Sequence, residues 1–102
     1  MYKVVFVTAS ENDSGRIAKT LVEKKLAACI NIISVQSIYR WNEKIEDERE
    51  DLLIIKTIES KIDQLKRTIK EIHPYEVPEC IILPIEDGLS DYLNWINEST
   101  SD

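Results

Sequence analysis

Glycine is nearly absent from this chain: among 102 residues only Gly15 and Gly88 occur. Glycine-rich phosphate cradles, dinucleotide fingerprints and the G-x-S-x-G elbow all need glycines at close spacing to bring backbone against a ligand, so none of them is present. Histidine is scarcer still, with His73 alone, which removes the facial triad and every multi-histidine zinc set. The two cysteines, Cys29 and Cys80, lie far apart with no C-x-x-C pair, and in a reducing compartment both are free thiols. Positive charge is in short supply as well. Thirteen basic residues stand against nineteen acidic ones, a formal charge of −6, so there is little to attract a phosphate backbone, and nucleic acid is not an expected partner. No apolar run approaches the ~20 residues that span a bilayer, and "MYKVVFVTASEN" lacks the apolar segment and cleavage site of a signal peptide. The expectation is a cytoplasmic protein with no membrane partner and no enzymatic role.

What is present describes a folded domain. The composition is 43% apolar and 31% charged with three prolines, which fits one domain over residues 1–102 with one modest core. The run "YKVVFVT" is β-branched and aromatic, suited to a central strand over residues 2–8. Ser10, with Asp13 three positions on, opens a helix carrying Ile17, Leu21, Val22 and Leu26 on one stripe. The stretch from Ala27 to Thr57 is rich in β-formers, and its breaks at "VQS" and "EDERE" predict a hairpin of residues 27–34 and 37–46 followed by a central strand, "DLLIIKT". The acidic run itself reads as a solvated turn.

Ser60 begins a second helix with Ile62, Leu65, Ile69 and Ile72 on one face. Pro74 ends it and leaves His73 at its C-terminus. A last strand, "ECIILPI", precedes a short helix bearing Leu89, Tyr92, Leu93 and Ile96, with a tail predicted to fray after Asn97. The order β-α-β-β-α-β with an appended helix is the ferredoxin-like α+β sandwich. Two helices cover one face of such a sheet, yet Ile30, Ile32, Ile33 and Leu52 to Ile55 put apolar side chains on both faces. An obligate oligomer is the predicted consequence.

The segments "KLAACINI", "SIYRW", "EDERED", "IIKT", "HPYEVPECIILPI" and "DYLNWI" resemble, in order and spacing, the CutA family of divalent-cation tolerance proteins, from about Tyr2 to Ile96. The resemblance implies a homotrimer related to the PII signal proteins, with a cleft between subunits that binds copper or another divalent cation. It also implies site residues. His73, Glu76 and Cys29 fall where metal ligands are expected, and Tyr39, Trp41, Lys56, Tyr75 and Trp95 where the cleft is lined. Two features depart from the family pattern, at three positions. Val7 and Ile72 stand where the bacterial copper set is similar to a cysteine and the first of two histidines, and Glu43 replaces a customary glycine in the hairpin.

Each site residue also has a plainer role. His73 suits a cap on the helix carbonyls, Cys29 a small buried hydrophobe, and the aromatic residues interface anchors. Lys56, ending an apolar strand, needs a partner, either a bound anion or Glu46 or Glu76. A small anion, a protein scaffold without a ligand and a PII-like metabolite sensor are therefore the alternatives to a metal.

Overall fold

The structure, a computed structural model, describes residues 1–102. Strand β1 (Tyr2–Ala9) leads into helix α1 (Glu11–Glu23), then strands β2 (Cys29–Trp41) and β3 (Lys44–Ile58). A single 3-10 turn precedes helix α2 (Ile62–Ile72), which is followed by strand β4 (Ile81–Pro84) and helix α3 (Ser90–Ser99). The four strands form one antiparallel sheet in the order β2-β3-β1-β4, so β1 and β3 are central, as their uncharged cores predict. The fold is the ferredoxin-like α+β sandwich. No helix is long and apolar enough to cross a membrane.

Strand alternation divides the sheet cleanly. Val5, Val7 and Ala9 on β1 and Leu53, Ile55 and Thr57 on β3 are fully buried on the face that α1 and α2 cover. From the helices, Ile17, Leu21, Leu65 and Ile69 complete this core, with Ile62 and Ile72 packed at its margin. Thr57 is admitted because its hydroxyl donates to the Leu26 carbonyl at 2.7 Å. Helix α1 closes in a Schellman arrangement: Leu26 N–H reaches Leu21 O, Lys25 N–H reaches Val22 O, and Lys25 takes φ 59°. Leu26 is thereby buried against the core, whereas Val22, expected on the same stripe, is exposed.

The opposite face is bare. Cys29, Asn31 and Ile33 on β2, Val4 and Phe6 on β1, Leu52 and Ile54 on β3, and Ile81 and Leu83 on β4 all point there, and none is buried. Helix α3 contacts β3, and its Ile96 is buried together with Ile58 outside the main core.

Three expectations need correction. Residues 35–37 are not a turn: the β2–β3 ladder runs unbroken from Cys29↔Lys56 to Trp41↔Lys44. The acidic run lies inside β3, not in a loop. The C-terminus does not fray after Asn97, because α3 continues to Ser99, Thr100 is fully buried with its hydroxyl on Ile96 O, and Lys61 pairs with Asp102 at 2.7 Å. Within α3 only Ile96 is buried, while Leu89 is 83% exposed.

Because β1 pairs with β3 only as far as Asp51, the β2–β3 segments beyond it form a two-stranded ribbon projecting from the body. The molecule is accordingly long, 44 × 25 × 20 Å, with a radius of gyration of 14.1 Å against ~13 Å for a compact chain of this length. Its tip is a two-residue turn, Asn42 at φ 50° and Glu43 at φ 65°, the left-handed pair that tight hairpins demand and that Asn tolerates but Glu does not. Replacing Glu43 with glycine removes that strain and loses some unfolded-state restriction. The expected outcome is a gain of roughly 0.5–1 kcal/mol in denaturant unfolding. Leu53→Ala, which opens a hole in the central strand, should lose about 2–5 kcal/mol in the same measurement.

Candidate functional site

Where the ribbon leaves the body, the open side of β2 and β3 faces the connection between α2 and β4. Strand periodicity places Tyr39 and Trp41 on this side together with Glu48 and Glu50, since Ser37 pairs with Glu48 and Val35 with Glu50. Pro74 and Pro78 bracket the connection and hold Tyr75, Glu76 and Glu79 opposite. Between them lies a groove of about 580 Å³ lined by Thr8, Ser37, Ile38, Tyr39, Trp41, Glu48, Glu50, Tyr75, Glu76, Val77 and Glu79. Four of these are glutamates and none is basic.

Hydrogen bonds order the walls. Tyr75 donates its hydroxyl to Glu50 at 3.1 Å and Tyr39 donates to Glu48 at 2.6 Å. Burial, then the bond to Glu50, pushes the Tyr75 phenol well up. The bond to Glu48 is the main cause that pushes Tyr39 up to about 12. Burial and then the charge of Glu50 raise the Glu79 carboxyl. Glu50 is only 5% exposed.

His73 stands behind this wall, not in it. It is the C-cap of α2, 7% exposed, with its N–H on Ile69 O. Its Nδ1 accepts the Tyr75 N–H at 3.1 Å, so Nε2 carries the proton and donates to Thr8 O at 2.7 Å. The imidazole thus uses both nitrogens to tie the α2 end to β1 and to place Tyr75, whose ring centroid is 4.6 Å away.

Of the residues singled out from the sequence, the groove gathers Tyr39, Trp41, Tyr75 and Glu76. Cys29 is elsewhere: it pairs with Lys56, which pairs with Val4, four residues along β1 from Thr8, or about 13 Å in the strand direction. Burial, followed by the charge of the nearby Cys29 thiol, raises the Tyr92 phenol. Trp95 stacks on Tyr92 in α3, with centroids 5.5 Å apart.

Lys56 donates to Asn31 Oδ1 and reaches Ile54 O at 3.4 Å, and not to the carboxylates expected. Glu46 lies about 33 Å further along the same strand. His73, Glu76 and Cys29 therefore do not meet within one chain, and no three His, Cys, Asp or Glu side chains converge closely enough to hold a metal ion. Among the lining residues that sequence reasoning missed are Thr8, Glu48 and Glu50. Alternation along a continuous strand puts Glu46, Glu48 and Glu50 on one side, a signal hidden once the acidic run was read as a turn.

A four-stranded split β-α-β sandwich with helices on one face places the chain among PII-like α+β domains. The sequence matches the model of the CutA1 divalent ion tolerance protein family over residues 3–99. It is 44% identical over 102 residues to the divalent-cation tolerance protein CutA of Thermus thermophilus, covering 98% of this chain and 99% of that one. Among solved structures, the periplasmic divalent cation tolerance protein CutA from Archaeoglobus fulgidus superposes with a TM-score of 0.95 at 40% identity, covering 99% of this chain and 100% of that one. The PII-like protein CutA from Nostoc in apo form gives 0.92 at 33% identity, covering 97% of each chain. The chain belongs to the CutA1 divalent ion tolerance protein family.

The Tyr39–Glu48 bond makes a pH prediction. A phenol whose folded pKa lies above its free value contributes stability that is fully present below about pH 10 and lost as pH rises through about 12. Phenolate absorbance should show a tyrosine ionising near 12, and Glu48→Gln should bring that step down. An unchanged titration curve in the variant contradicts the bond.

Proposed function

We propose that this chain is a cation-binding protein, not a catalyst, that works as a homotrimer, the open sheet face buried against copies of itself and the ribbon-base groove holding the cation between subunits. One observation carries this reading: four glutamates and no basic residue line the groove. Such a wall attracts cations and repels anions. The small-anion alternative relied on Lys56, which stands at the other end of the sheet on Asn31.

Assembly is supported by the surface. The accessible area is 6635 Å², against roughly 5,900 Å² for a compact 11.8 kDa monomer. Only 21 of 102 residues are buried, and an isolated two-stranded ribbon is marginal in water. On that ribbon Ile38 and Ile45 are 67% and 62% exposed, which a neighbouring subunit would cover. The two unpaired cysteines suit a reducing compartment, in keeping with the cytosolic placement expected.

Copper or another divalent ion, the cargo that the resemblance implies, does not find its ligand set in one chain. His73 has both nitrogens engaged and Cys29 is remote. An ion bound here would need donors from a second subunit. Calorimetric titration of metal-free protein with cupric chloride, spermidine and inorganic phosphate tests the sign of the ligand. Saturable heat is expected from at least one of the two cations, near one per subunit, and none from phosphate. Heat from phosphate alone, or from none of the three, contradicts the reading.

A further inference from the structure

The kind of cation is narrowed by a mismatch within the groove. A divalent metal needs several donors within about 2.0–2.6 Å of a single point, and the carboxylates here do not converge on one. They are spread along a cavity of about 580 Å³ whose other walls are the rings of Tyr39, Trp41 and Tyr75. Glu50 stands apart from its neighbours. It is 5% exposed, no ion pair of the chain involves it, and its carboxylate accepts a side-chain hydrogen bond from the Tyr75 hydroxyl alone. A buried carboxylate without a positive partner is costly, and a cation brought to it restores the pairing lost with water.

Aromatic faces add a second attraction, available to a cation with an organic coat and wasted on a hydrated metal ion. Ring quadrupoles hold ammonium groups and their attached methylenes within ~6 Å of the ring centre, most strongly when desolvated. We propose that the groove is a site for an organic ammonium ion, an alkyl or methylated amine whose nitrogen pairs with Glu50 and whose carbons lie against Trp41 and Tyr39. This rests on the cation reading of the same groove and names its ligand class. Tyr75 is the positioning residue: its hydroxyl fixes one carboxylate oxygen of Glu50, and His73 fixes its backbone. Glu48 and Glu79 add charge along the cavity, favouring an amine with more than one ammonium group.

The test uses Trp95→Phe as background, which leaves Trp41 the only tryptophan and makes emission a reporter of the groove. Tetramethylammonium chloride, spermidine and cupric chloride are titrated separately into the assembled protein, followed by fluorescence and calorimetry. Both amines should change Trp41 emission saturably, spermidine at the lower concentration, and Glu50→Gln should weaken them at least about tenfold. If Glu50→Gln does not fold, Trp41→Leu, exposed and outside the core, keeps the question decidable by calorimetry and should weaken both amines several-fold.

Cupric binding with no response to either amine overturns the ammonium site and leaves the cation reading standing. No binding by any of the three overturns both, as it would if a side chain of a neighbouring subunit already fills the groove. Amine affinity unaltered in Glu50→Gln, or in Trp41→Leu where that variant is the one available, also overturns the proposal. It would reduce the effect to general attraction by an acidic surface.

Discussion

The structure depends on two central strands that are hydrogen-bonded on both edges and apolar on both sides. β1 and β3 hold the middle of the sheet, and alternation sends Val5, Val7, Leu53 and Ile55 under the helices and Phe6, Leu52 and Ile54 to the other face. Two helices can cover one side of a four-stranded sheet. The other side is left with an apolar surface too rich for water, relieved at one end by α3 through Ile96 and Ile58. The long ribbon extends this surface beyond the body and supplies one wall of the groove. Sheet, ribbon and groove are therefore continuous parts of one exposed face.

The groove inherits its chemistry from strand geometry. A period of two places Glu48 and Glu50 beside Tyr39 and Trp41, and the proline-bracketed connection sets Tyr75 against them. His73, the most chemically conspicuous residue of the sequence, serves by holding this wall in place. Its two nitrogens join Thr8 of β1 to the backbone of Tyr75, so the helix end, the central strand and the groove wall are tied together.

Much of the fold was legible because its signals are local and repeated. The strand and helix periods, the order of elements and the centrality of β1 and β3 follow from apolar spacing alone. The stop after Ile72 follows from Pro74. What was misread depended on partners distant in sequence. Val35, Gln36 and Ser37 look like a turn but stay extended because Glu50, Arg49 and Glu48 pair with them across the ladder. The acidic run looked like a turn because charge was weighed without the strand parity that puts alternate glutamates on the groove side, where Glu48 stays exposed and Glu50 is buried. The last residues looked frayed because Lys61, which anchors Asp102, is 41 positions upstream. Site residues were least legible of all. Cys29, His73 and Lys56 were recognised as unusual, yet only register shows that Cys29 and Lys56 neighbour each other at the far end from His73.

The central claim is that the bare sheet face and the ribbon require other copies of the chain. Sedimentation equilibrium of the purified protein across a dilution series down to micromolar concentration tests it directly. The account predicts a single species of three times the 11.8 kDa chain mass that does not dissociate without unfolding. A stable, folded monomer at micromolar concentration would contradict it, because the exposed face would then need no partner.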